Sequence, residues 1–145
     1  MPGTRLSADA ECRVYEYTER RDMLEAYSTN AAVAANAAIP FNNVVIQKGN
    51  TAVLSGAQTI ELNKCGVYMV ELDGTASAST TVQMTKNGVA QPQAQSTGTT
   101  FGFQTLVQVP RSNTSCCCSS PTLIQFTADA AVTLTNVNVV VTKVC

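Results

Sequence analysis

The feature that most constrains this chain is a strict two-residue alternation: Phe101, Phe103, Thr105, Val107 and Val109 against Gly102, Gln104, Leu106 and Gln108. A period of two places the first set on one face of an extended strand and does not fit a helix. Shorter runs of the same kind begin at Phe41. Val44-Val45-Ile46 reads as a short buried strand closed by Lys48-Gly49-Asn50, and Thr59 to Leu62 alternates before a turn at Asn63-Lys64-Cys65-Gly66. Val67 to Ala76, Thr81 to Thr85 and Leu123 to Thr127 read as further strands. Val132 to Val144 closes the series, with Val132, Leu134, Asn136, Asn138 and Val140 expected on one side. Lys86-Asn87-Gly88 contains the Asn-Gly pair, the strongest short-range hairpin signal. About eight strands parted by turn residues, with no strand–helix alternation, predict an all-β sandwich or barrel.

Composition bears on what such a domain does. Charged residues are 13% of the chain, against roughly 25% in a typical soluble protein. A single copy would expose a surface poor in charge, which association hides. The net charge of −1 gives no field that would draw the chain to nucleic acid. Beyond the first segment the basic residues Lys48, Lys64, Lys86, Arg111 and Lys143 are scattered and not interleaved with aromatics, so no nucleic-acid partner is expected. No apolar run approaches the ~18 residues of a membrane span. Mixed charges instead of an apolar stretch follow Met1 to Arg5, so neither a membrane partner nor a secretion signal is expected.

The charges are unevenly placed. Residues 1–27 hold Arg5, Arg13, Arg20, Arg21, Asp9, Glu11, Glu16, Glu19, Asp22 and Glu25, more than the rest of the chain together. This shift divides the sequence into an N-terminal attachment segment and linker, 1–38, and a head domain, 39–145. Thr18 to Tyr27 fits a short helix with Thr18 as N-cap and Arg21 four residues before Glu25, or else a solvated terminus. Ala31 to Ala38 reads as an extended linker. The segment is too short to bury its own apolar groups. Tyr15, Tyr17, Met23, Leu24 and Tyr27 are therefore expected to dock on a partner, with Arg13, Arg20 and Arg21 fixing register.

Histidine is absent, which removes Ser-His-Asp and Cys-His catalysis and most catalytic zinc sites. No Gly-rich phosphate loop and no GxSxG occurs. Glu61, Glu71 and Asp73 read as a solvated face, without the paired carboxylates in a cleft that glycoside hydrolysis needs. No catalytic residue, metal or cofactor is expected, and the chain is read as a non-enzyme. Of six cysteines, Cys116, Cys117 and Cys118 are consecutive between Ser-rich turns, and Cys12, Cys65 and Cys145 stand apart. The triplet is a candidate thiol or disulfide cluster. Structural thiols, disulfides within or between subunits, and a shared metal are the readings open to it.

Gly66-Val67-Tyr68-Met69-Val70 resembles the "G-V-Y" strand of tumour-necrosis-factor-like and complement-type globular heads. Val82 to Gly88 resembles the hairpin that follows it there, ending in "K-N-G", and Val132 to Val144 resembles the closing strand. The resemblance spans residues 39–145. It implies a jelly roll, here about 8–10 antiparallel strands with a short N-terminal extension, that trimerises about a threefold axis. Val67, Met69, Phe101, Phe103, Leu123 and Phe126, on the strongest strands, are expected in the domain core or the trimer interface. The resemblance further implies a structural role: a homotrimeric capsid decoration or head fibre of a phage or prophage virion. It would lie on the virion surface after assembly in the host cytoplasm, joined to a capsid or other particle protein through its N-terminal segment. The alternatives are a head that binds a receptor or host-surface glycan, through a polar loop at Gln91–Thr100, and a bacterial spore-surface component.

Overall fold

The computed structural model describes residues 22–110 and 117–145, and of residues 117–120 the backbone only. It contains strands β1 (Met23–Val33), β2 (Asn43–Lys48), β3 (Ala52–Ser55), β4 (Thr59–Lys64), β5 (Gly66–Lys86), β6 (Val89–Val109), β7 (Cys117–Ala128) and β8 (Val132–Lys143). No helix occurs among the described residues.

The architecture follows from two strands of 21 residues each, β5 and β6, that serve two sheets. The first half of β5 pairs with β8, from Tyr68↔Lys143 to Ala76↔Leu134, and its second half pairs with β7, from Val82↔Ala128 to Lys86↔Ile124. The β5–β6 ladder runs along both halves, broken between Thr75 and Thr80. One sheet therefore has the order β2-β1-β8-β5-β6 and the other β3-β4-β7-β5-β6, antiparallel throughout. This is an all-β jelly-roll sandwich. The crossover falls at Ala76-Ser77-Ala78-Ser79, where small side chains interrupt the inward alternation. Asp129 and Ser77 secure it: Asp129 accepts hydrogen bonds from Thr80 and Thr81, and Ser77 accepts one from the Thr133 amide.

Between the sheets lies one core. Leu24, Tyr68, Val70, Leu72, Leu134, Val139 and Val141 face Ile60, Leu62, Met84, Ile124 and Phe126, all essentially without solvent exposure. Phe126 is its centre, edge-on to Phe41 at 5.8 Å between centroids and tilted against Phe103 at 6.1 Å. The Tyr68 hydroxyl is satisfied by donating to the Lys64 carbonyl at 2.5 Å. At the Asn87-Gly88 turn both residues have positive φ, 51° and 83°, the left-handed pair that a two-residue hairpin requires.

Four expectations are corrected. Residues 23–33 are neither helix nor linker but β1, paired with β8 from Met23↔Thr142 to Val33↔Val132. The boundary expected between Ala38 and Ile39 thus leaves out a strand of the sandwich. Alanine-rich sequence is locally helical by propensity, but here Leu24, Ala26, Ala31 and Val33 fill the core against the valines of β8, and tertiary burial prevails. Gln91–Thr100 is not a loop but part of β6, held in a ladder with β5 and burying Ala94. On β8 the inward set is Val132 and Leu134, then Val137, Val139 and Val141. The alternation slips one residue at Asn136, in step with Asn30 of β1, whose φ is 52°, so Asn136 points away from the core. Last, Val44-Val45-Ile46 is not buried: all three are exposed in β2.

Candidate functional site

The first sheet has an outward face whose side chains can be read off its registers. Three rows cross it completely. One runs Leu106, Met69, Thr142, Met23, Lys48; the second runs Gln104, Glu71, Val140, Glu25, Ile46; the third runs Gly102, Asp73, Asn138, Tyr27, Asn43. Partners in an antiparallel ladder share a face, so each row is a continuous strip from the β6 edge to the β2 edge. Leu106 is 58% exposed, and Met69 lies half-buried beside it, close enough for the Gln104 amide to contact its sulfur at 2.6 Å. At the opposite edge β2 is, among the described residues, hydrogen-bonded to β1 alone. A bulge between Glu25 and Ala26 leaves Val45 without a register partner. Ile46 lies on the outward face beside Glu25, and Val44 on the other side beside Ala26. Val44 and Val45 are 51% and 56% exposed, so β2 presents apolar side chains on both of its faces.

Between β6, β5 and β8 the outward face is hollowed into a shallow depression of about 340 Å³, lined by Glu71, Leu72, Asp73, Gly102, Phe103, Gln104, Asn138 and Val140. Its charge is purely acidic. Among the described residues no group of three or more His, Cys, Asp or Glu side chains is placed to hold a metal.

The candidate residues separate by position. Phe101 and Phe126 are buried in the core, and Phe103 is half-buried against it. Val67 and Met69 are half-buried on the outward face of the first sheet. Leu123 is 39% exposed on the outward face of the second sheet, and its backbone is pinned by Asn87. Of the residues expected to attach the chain to a particle, Leu24 is fully buried in the core; a docking role for it is corrected. Met23 and Tyr27 stand on the outward face. Arg13, Tyr15, Tyr17, Arg20 and Arg21 lie outside the described residues, as do Cys116 and the side chains of Cys117 and Cys118. The backbone of Cys117 pairs with Lys64, and Cys145 is disulfide-bonded. Burial pushes the Lys143 ammonium below its ordinary pKa, opposed by the nearby charges of Cys65 and Asp22.

The β2 edge escaped the sequence reading for a physical reason. A three-residue apolar run looks the same whether it faces a core or a partner. The signal that would have separated them is the Asn, Gln and Lys flanking it, which mark an edge.

No protein-family model matches the sequence, and no curated protein matches it. The fold does match solved structures. The chain is similar to the PRD1 vertex protein P5, with a TM-score of 0.61 at 14% identity, over 86% of this chain and 97% of that one. It is similar to the globular domain of zebrafish complement 1qA, with 0.63 at 6% identity over 83% and 94%, and to murine APRIL, with 0.63 at 10% identity over 86% and 99%. The chain has the jelly-roll fold of tumour-necrosis-factor-like and complement-type globular heads.

Proposed function

We propose that the protein is a non-enzymatic, homotrimeric surface module of a virion, a capsid decoration or head-fibre head. The observation that carries this reading is the match to a vertex protein over nearly the whole of both chains. The sparse charge of the chain and the exposed apolar groups at both edges of the first sheet support association, since an isolated β domain rarely leaves a flat apolar edge open to water. The absence of histidine and an open depression in place of a cleft fit a structural role. Attachment to the particle is assigned to the stretch ending at Arg21, with Tyr15, Tyr17, Arg13, Arg20 and Arg21 as its contacts.

Light scattering coupled to size exclusion tests the oligomer. A mass of three chains at micromolar concentration is expected, and a stable monomer there overturns the reading. Cosedimentation with purified particles tests the location.

A further inference from the structure

We infer that one end of the sandwich is a basic docking pole, which seats on an acidic patch of the particle protein that receives the N-terminal segment; this rests on the particle attachment proposed above.

The chain has four lysines, Lys48, Lys64, Lys86 and Lys143, far apart in sequence. The fold carries all four to the same end. Lys48 closes β2 opposite Met23, the first residue of β1, and Lys64 closes β4. Lys143 closes β8 opposite Tyr68, near the start of β5. Lys86 closes β5 after that strand has crossed between the sheets and returned. Its ammonium donates to the Gln108 carbonyl at 2.9 Å, and Gln108 pairs with Val67, whose backbone is hydrogen-bonded to Cys145. The Lys143 pKa, lowered chiefly by burial, also responds to the charges of Cys65, Asp22 and Lys64, so all three lie close to it. Lys64 is exposed and the other three lysines are half-buried.

The positive charge of this pole is left in place. Lys86 and Lys143 donate to backbone carbonyls, those of Gln108 and Cys145, and a carbonyl does not neutralise an ammonium. Among the described residues the side-chain acid at this end is Asp22, and its carboxylate accepts the Thr51 hydroxyl. Glu25, Glu61, Glu71 and Asp73 stand further along their strands, and Asp129 lies at the opposite end, by the crossover. The turns that present the lysines are held. The Asn63 side chain donates to the Asn50 carbonyl at 3.0 Å, and its amide to the Thr51 carbonyl at 2.8 Å. Cations pre-positioned in this way lose little freedom on binding.

Cations at the tip with acids along the flanks select a compact anionic partner. A long polyanion such as a nucleic acid would run off the pole onto Glu25, Glu61 and Glu71, whereas an acidic patch on a protein stays within it. The Tyr68 ring at this end is buried, with its hydroxyl on the Lys64 carbonyl, so it offers no base-stacking platform. Position names the partner. The Asp22 carbonyl accepts the Lys143 amide, so the stretch ending at Arg21 joins the head at this pole. Whatever protein holds that stretch also faces the lysines.

The test uses the full chain and a fluorescein-labelled poly-L-glutamate peptide as the acidic probe. Binding read by fluorescence anisotropy is expected at about 0.1 M salt and should be lost at about 1 M, as the screening length falls from about 10 Å to about 3 Å. Lys64→Glu combined with Lys86→Glu reverses two surface charges and should weaken binding about tenfold, with the β-sheet circular dichroism retained. Lys64→Arg combined with Lys86→Arg should bind as the wild type does. The charge reversal should also reduce cosedimentation with purified particles. No binding at the lower salt, or binding that the reversal leaves unchanged, overturns the inference. A DNA duplex that binds more tightly than polyglutamate assigns the pole to nucleic acid and overturns the acidic-protein partner. Cosedimentation undiminished by the reversal overturns the inference and leaves the virion reading standing; a wild-type chain that does not cosediment overturns both.

Discussion

The Oδ1 atom of Asp129 lies 2.8 Å from the amide nitrogen of Thr81, and the Thr80 hydroxyl donates to the same oxygen at 3.0 Å. One carboxylate in the β7–β8 turn thus holds β5 where it passes from one sheet to the other. These hydrogen bonds, the Thr81 amide foremost, lower the Asp129 pKa below the ordinary carboxylate value. A carboxylate with a lowered folded-state pKa adds stability that is present above the unfolded-state value, about 4, and is lost as pH falls through the folded-state value. Asp129→Asn should lower the melting temperature at pH 7, and the difference from wild type should shrink on titration below about pH 4. A difference that stays constant down to pH 2 would remove the carboxylate from this role.

The core should respond in proportion to burial. Phe126 is fully buried between Phe41 and Phe103, so Phe126→Ala should cost about 3–5 kcal/mol in denaturant unfolding. Phe103 is only partly buried, and Phe103→Ala should cost roughly half as much, about 2 kcal/mol. Equal losses would show that the assembly, rather than the monomer core, covers Phe103.

Gly74 tests the approach of β5 to β8. A Cβ there would collide with the Asn136 carbonyl oxygen and come within 2.9 Å of the Phe101 ring. Both obstacles are held, one by a backbone ladder and one by the core. Gly74→Ala should destabilise by at least the roughly 1–3 kcal/mol of an overpacked site, read from the denaturant midpoint.

Truncation separates the strand from the segment before it. A chain lacking residues 1–21 keeps all of β1 and should fold with unchanged β-sheet circular dichroism while losing its place on the particle. Removing residues 1–27 also takes away Leu24 and Ala26, both without solvent exposure. Losing one buried Leu side chain already costs about 2–5 kcal/mol, a large part of a domain's roughly 5–15, and this chain should fail to fold. Equal melting of the two truncations would show that β1 is dispensable.

How far the sequence announced this fold depends on which face of each strand meets solvent. Phe101 to Val109 was legible because one of its faces is core and the other is not, and Asn87-Gly88 because its turn demands positive φ. Gln91 to Thr100 was not legible: among the described residues this half of β6 has β5 as its one partner, and it buries only Ala94 completely, so its sequence carries almost no alternation. β1 was hidden by alanines that satisfy a core without advertising it, and by the slip at Asn30 that breaks the count. Of the candidate site, the half-buried Met69 was found as a member of a strong strand. The β2 edge was taken for core, because apolarity alone does not say which molecule covers it.

The register Met23↔Thr142 has a consequence for how the protein is made. β1 finds its main partner more than a hundred residues downstream. At about 5–20 residues per second of synthesis, β1 waits on the order of ten seconds before β8 exists. During that time its Leu24 and Val33 are without the valines that will cover them, and β2 alone can shield one flank. The nascent chain therefore carries an open apolar strand for most of its time on the ribosome, so its yield in the cell should depend on holdase chaperones and on growth temperature more steeply than the stability of the finished domain would indicate.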